Sequence, residues 1–179
     1  MTVGDYNNDG FEDLFVTYYG RNVLYRNNGD GTFTDVTKQA GLTQAASLWG
    51  SGCTFLDYNR DGHLDLFVAN YVDFDLSTVQ KRGSSAYSRW KGVSVCCGPR
   101  GLEPAHNYLF RNNGDGTFAD VSAAAGISQV GNRYPLTSVA ADFDDDGWTD
   151  IRSMRFHTKA FFFTINMTGL SKNKVSNVT

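Results

Sequence analysis

An all-β fold is predicted for this chain by three observations: its acidic residues are almost all Asp, its aromatic and glycine residues are plentiful, and one loop-and-strand pattern recurs along it. Of 19 acidic residues only Glu12 and Glu103 are Glu. Asp competes with helical hydrogen bonds and favours turns and oxygen-rich metal loops. Thirteen Phe, nine Tyr and 19 Gly suit short strands joined by tight turns. The 179 residues can form one domain or a large part of one. A formal charge of −3 with no basic stripe argues against a nucleic-acid partner. No run of apolar residues is long enough for a transmembrane helix, and no signal peptide is visible at the start. Three cysteines, Cys53, Cys96 and Cys97, leave at least one thiol unpaired within the chain.

The elements follow from self-comparison. "DYNNDGFEDLFV" at 5–16 returns as "DYNRDGHLDLFV" at 57–68 and as "DFDDDGWTDI" at 142–151. "LYRNNGDGTFTDVTKQAGL" at 24–42 returns as "LFRNNGDGTFADVSAAAGI" at 109–127, and the shift of 85 residues is also that between the second and third acidic stretches. One unit is therefore an acidic loop, two strands, an "NNGDGTF" turn and a further strand. Alternation and β-rich composition place strands at about 2–5, 13–19, 22–27 and 32–36, then 53–57, 65–71, 107–112 and 117–121, then 137–142. The Asn-Gly and Asp-Gly pairs tolerate the positive φ of a tight hairpin. "DVTKQAGL" and "DVSAAAGI" each suit a short helical turn. Units fall at about 1–50 and 51–135, with an insertion at 71–106, and a partial unit at 136–151. Four strands per unit with short connections predict a β-propeller fragment of about two four-stranded blades plus the start of a third, since a closed ring of blades protects its strand edges.

The charge at each strand lip predicts a cation. With Asp5 as position 1, Asn7, Asp9, Gly10, Phe11 and Asp13 occupy positions 3, 5, 6, 7 and 9. The second loop has Asp57, Asn59, Asp61, Gly62, His63 and Asp65 there, and the third Asp142, Asp144, Asp146, Gly147, Trp148 and Asp150. Side chains at 1, 3, 5 and 9 and the carbonyl at 7 supply five or six oxygens, the donor set of Ca²⁺. Without a cation the clustered carboxylates would repel one another. Phe11, His63 and Trp148 contribute only their carbonyls, and Glu12 and Asp145 face solvent. An EF-hand would have Glu at position 12, where this chain has Val16, Val68 and Ser153, and strands rather than a helix leave each loop.

These units resemble FG-GAP or VCBS repeats, and are more closely similar to bacterial proteins that carry such repeats ahead of an ASPIC/UnbV domain, the cartilage acidic protein-like family. The resemblance covers about residues 1–151. It implies a secreted or envelope propeller with up to three structural Ca²⁺ ions, held by the loop residues named above, and with its remaining blades in a full-length parent. It also implies a disulfide between a cysteine two residues before the tryptophan of "SRWKGVSVCCGPRG" and the cysteine before "GPRG"; Ser88 stands at the first position, so Cys97 lacks that partner. The tail, 152–179, leaves the pattern after "WTDI". A reading-frame shift would explain it: one legal back-translation of Arg152 to Lys159, read one base later, gives VACDSTP, similar to the family's continuation. Phe163 to Ser171, read one base earlier, gives HNQHDGTF.

The expected role is a non-catalytic binding module contacting an as yet unnamed protein or glycan. The alternative is the propeller part of a calcium-dependent polysaccharide lyase or hydrolase, which needs a base or nucleophile outside the loops. His106, His157 and Lys91 are available, without a catalytic spacing. A third reading is a truncated fragment with no independent function, its open edges an aggregation hazard.

Overall fold

The computed structural model describes residues 1–44, 48–73, 75, 77, 81–84, 88–95, 99, 102–127 and 134–155, with the strands at 161–164 and 174–177. No α-helix occurs among the described residues. Three four-stranded antiparallel meanders follow one another, where the repeat predicts two and the start of a third.

In the first, β1 (Thr2–Gly4) and β2 (Asp13–Val16) flank the first acidic loop, and β4 (Val23–Asn27) and β5 (Phe33–Asp35) flank the "NNGDGTF" turn, in the order β1-β2-β4-β5. The strand expected over 13–19 is divided. Tyr18 donates its N–H to Asn22 Oδ1 (2.9 Å) and accepts from the Gly50 N–H (3.0 Å), which ends β2 and sends β3 (Tyr19–Gly20) across to pair with β6 (Leu48–Leu56).

The second meander runs β6, β7 (Asp65–Asp73), β11 (Tyr108–Asn112) and β12 (Phe118–Asp120). The insertion, with its hairpin of β8 (Arg89–Trp90) and β9 (Val93–Ser94), leaves from the strand ends remote from the acidic loop. Its base is a strand pair, since β10 (Glu103–Pro104) pairs with Val72 and Asp73. At this same remote end Tyr19, Trp49, Tyr71 and Tyr134 form a row of edge-to-face rings with centroids 6.0–6.1 Å apart.

The third meander is β13 (Pro135–Ala141), β14 (Asp150–Arg155), β15 (Phe161–Thr164) and β16 (Lys174–Asn177). The tail, to which the sequence pattern assigns no strand, thus supplies two strands in the order the repeat prescribes. Both stretches expected to form helical turns do so as single turns: Val36 and Val121 accept from the N–H of Ala40 and Ala125, both at 2.8 Å.

Two apolar clusters lie between successive sheets. Tyr6, Phe15, Leu24, Leu66, Val68, Phe110 and Phe118 join the first sheet to the second. Leu56, Phe67, Ala69, Leu109, Ile127 and Ile151 join the second to the third. Alternate residues of β7 therefore enter different clusters, so that strand is buried on both faces. Close approach needs glycine: a Cβ on Gly52 of β6 would lie 2.7 Å from the Thr137 Cα of β13.

Candidate metal centre

The three acidic loops share one backbone plan. The position-1 carboxylate accepts the position-6 N–H in every copy, from Gly10 (2.8 Å), Gly62 (3.0 Å) and Gly147 (2.8 Å). The position-5 carboxylate accepts the position-7 N–H at 2.9 Å in all three. Position 4 is left-handed at Asn8, Arg60 and Asp145 (φ 56°, 59° and 60°), and position 6 is left-handed at its glycine. Asn and Asp tolerate that region, whereas a long side chain such as Arg60 occupies it at a penalty. Glu12 and Asp145 are exposed, as expected.

The oxygens converge. One ligand atom from each of Asp142, Asp144 and Asp146 lies within 4.8 Å of the others. Oxygens at the Ca²⁺ distance of about 2.3–2.6 Å from one ion are at most about 5 Å apart, so the donor set fits that ion. In the first two loops an amide donor faces the position-5 carboxylate: Asn7 Nδ2 donates to Asp9 at 2.8 Å, and Asn59 Nδ2 to Asp61 at 2.7 Å. The third loop has Asp144 there and so the greater need of a cation.

Position 9 is buried in each copy: Asp13, Asp65 and Asp150 are 0%, 0% and 1% exposed. Asp13 accepts the N–H of Tyr6 (3.2 Å) and Asn27 (2.8 Å), and Asp65 that of Tyr58 (3.1 Å) and Asn112 (2.8 Å). Asp150 accepts the Phe143 N–H (2.9 Å), and its Oδ1 has no hydrogen-bond partner among the described residues. Burial raises all three carboxyls above the ordinary range, against these hydrogen bonds and with the other loop carboxylates adding to it. Asp65 is pushed up to about 7, its largest cause being desolvation. Asp150 also feels the charge of Asp144, Asp146 and Asp142, a repulsion that a bound cation would relieve.

The second motif of the repeat belongs to the same site, which the sequence reading missed. Besides their N–H bonds to position 9, Asn27 and Asn112 donate Nδ2 to the position-8 carbonyls of Glu12 (3.0 Å) and Leu64 (3.0 Å). The position-7 side chains pack on the first glycine of each turn: a Cβ on Gly29 would lie 2.7 Å from the Phe11 ring, and one on Gly114 2.9 Å from His63 Nε2. The available signal was that both motifs recur at the same shift of 85 residues.

Outside the loops, His106 Nε2 is 2.7 Å from the Tyr108 hydroxyl, and Lys91 Nζ lies 5.9 Å from the centre of the Trp90 ring. His157 lies outside the described residues, as do Cys96 and Cys97. Cys53 is a buried free thiol, its pKa raised by desolvation, and Ser88 is fully buried.

Comparison with known proteins agrees with this architecture. The chain is 27% identical over 181 residues to Cartilage acidic protein 1 of Xenopus tropicalis, covering 99% of this chain and 21% of that protein. It is 27% identical over 198 residues to the Mus musculus and Homo sapiens proteins of the same name, covering 84% of this chain and 30% and 29% of theirs. The chain thus spans between a fifth and a third of the length of these relatives. The FG-GAP-like repeat family matches residues 5–68 and 95–152, more than half of the sequence, and the matched stretches contain all three acidic loops. The chain belongs to the FG-GAP-like repeat family.

Proposed function

We propose that the three loops bind Ca²⁺ and that the module serves as a calcium-stabilised, non-catalytic part of a longer secreted or envelope protein, where it contacts a protein or a glycan. The observation that carries the calcium reading is the convergence of Asp142, Asp144 and Asp146 in the third loop, whose backbone plan the first two loops repeat in register. The position-1, 3 and 5 side chains and the position-7 carbonyls of Phe11, His63 and Trp148 would hold the ion. Asp13, Asp65 and Asp150 would add the buried oxygen while anchoring the loop to its blade. The metal would neutralise the clustered charge and tie the ends of two strands together.

An interaction role is supported by the aromatic row at the opposite end, where Tyr19 and Trp49 are 45% and 43% exposed. It is also supported by a 360 Å³ cleft between the first two sheets, lined by Arg26, Gln39, Asp115 and Thr117 among others. Both offer surface without a catalytic constellation.

Calcium calorimetry with thermal melts in calcium and in metal-free buffer tests the reading. Uptake of two or three ions with a higher Tm is expected. At a hundredfold excess over Kd, each site adds about 2.7 kcal/mol. Asp9→Asn and Asp61→Asn should each lower both ion uptake and the calcium-induced rise in Tm; uptake unchanged by either would remove those loops from consideration.

A further inference from the structure

The second and third acidic loops are each touched by the position-4 side chain of the loop before. Asn8 donates Nδ2 to the Gly62 carbonyl (3.2 Å) and lies 3.3 Å from His63 Nδ1. Arg60 places its guanidinium 3.9 Å from the centre of the Trp148 ring, and a Cβ on Gly147 would come within 3.0 Å of Arg60 Nη2. The left-handed backbone at position 4 turns that side chain out of its own oxygen-lined hollow and towards the neighbour. In both cases the contact lands on positions 6 and 7. The Gly62 carbonyl and the His63 N–H are the two ends of one peptide: Asn8 holds the first, and Asp61 Oδ1 accepts the second at 2.9 Å. Asn112 ties the same two loops again, donating Nδ2 to the carbonyls of Tyr6 (2.8 Å) and Leu64 (3.0 Å).

We infer that the three loops form a coupled row in which occupancy of one raises the ion affinity of the next, through Asn8 from the first to the second and through Arg60 from the second to the third. This rests on the calcium reading above and goes beyond it by joining the sites into one unit. An ion that fixes positions 3 and 5 of a loop also fixes the residue between them. That residue then holds positions 6 and 7 of the next loop, so the next ion has less backbone to order. The coupling is reciprocal: an ion in the third loop strengthens the second by the same factor. A factor of about five per contact is expected, at the lower end of typical couplings.

Trp148 provides a local optical probe, since Tb³⁺ bound in the third loop is sensitised by the adjacent indole, and loss of the signal in Trp148→Phe assigns it. Four versions of the full chain are titrated with Tb³⁺: the natural sequence, Asp57→Asn with Asp61→Asn, Arg60→Lys, and all three substitutions together. Arg60→Lys keeps the positive charge beside the third ion while losing the planar stack. Third-loop affinity should fall about fivefold on loss of the second-loop ligands. It should fall comparably in Arg60→Lys, and the triple variant should show no further fall. An unchanged third-loop affinity in the double variant overturns the coupling. So does an equal fall from losing those ligands in the Arg60→Lys background, because a purely Coulombic effect of the lost carboxylates would persist there. Tb³⁺ binding that these changes leave alone refutes the coupling only, whereas no Trp148-sensitised signal in the natural chain refutes the ion reading of that loop as well. Asn8→Ala, an exposed substitution, checks the first step: calcium calorimetry should show weaker uptake by the first two loops.

Discussion

The buried position-9 carboxylates set how the ion-free protein responds to pH. Asp65 titrates near 7 in the fold against about 3.9 in an unfolded chain, because burial disfavours its charged form. The fold therefore binds that proton more tightly than the unfolded chain does. For this group stability is greatest below about pH 4, falls as the pH rises towards 7, and then levels off. Asp13 and Asp150 shift in the same direction. Asp30, Asp35 and Asp115 shift the opposite way, held down chiefly by threonine hydroxyl donors, and their stabilisation is lost only as the pH falls through the acid range. Thermal melts in metal-free buffer should thus show Tm decreasing between pH 4.5 and 7, with a shallower slope in Asp65→Asn. Saturating calcium should remove most of that decrease. The sequence placed Asp65 at position 9 of a metal loop, but its second N–H donor was not legible there, because that donor is Asn112, 47 residues away.

At the scale of the element, loop and turn form one device. Gly29 and Gly31 both have positive φ in the same hairpin, at 76° and 87°. Only Gly29 lies under the Phe11 ring; a Cβ on Gly31 meets nothing within 4 Å. Gly31→Ala should then cost about 1–2 kcal/mol of backbone strain, and Gly29→Ala should cost more, because the ring must also move. Combining Gly29→Ala with Phe11→Ala should recover part of that excess in denaturant titrations; strict additivity would mean that the ring is not the obstacle. The buried hydroxyls of "DVT" and "DVS" act in parallel. Thr37 and Ser122 each accept a strand N–H, from Leu24 (2.9 Å) and Leu109 (3.0 Å), while donating to Asp35 and Asp120. The turn residues were readable from their Gly, Asn and Asp content. The division of β2 from β3 was not, because the residues that end β2 are Asn22 and Gly50, outside the strand itself.

For the whole molecule, the useful comparison is between two copies of "DLFV". In β2 Leu14 and Val16 are half-buried, whereas the matching Leu66 and Val68 of β7 are fully buried. The middle sheet packs on both faces; the first packs through Phe15 on one. Leu66→Ala should therefore cost about 2–5 kcal/mol, and Leu14→Ala clearly less, as read from chemical denaturation of this chain. Gly52→Ala should separate β6 from β13 and loosen the second sheet from the third, since its Cβ would meet backbone rather than a side chain that can turn away. By itself the sequence determined the repeat, the all-β class, the meander order of the blades and the positions of the acidic loops. These follow from local chemistry: glycine and Asn in positive-φ turns, alternating apolar residues in strands, carboxylates spaced to face one hollow. Only the tertiary structure decided which of two identical tetrapeptides is buried, that the "NNGDGTF" turn completes the acidic loop, and that Asn8 and Arg60 serve the neighbouring loop. Burial and inter-loop contact depend on what packs opposite a residue, and a residue's own sequence neighbours do not specify that.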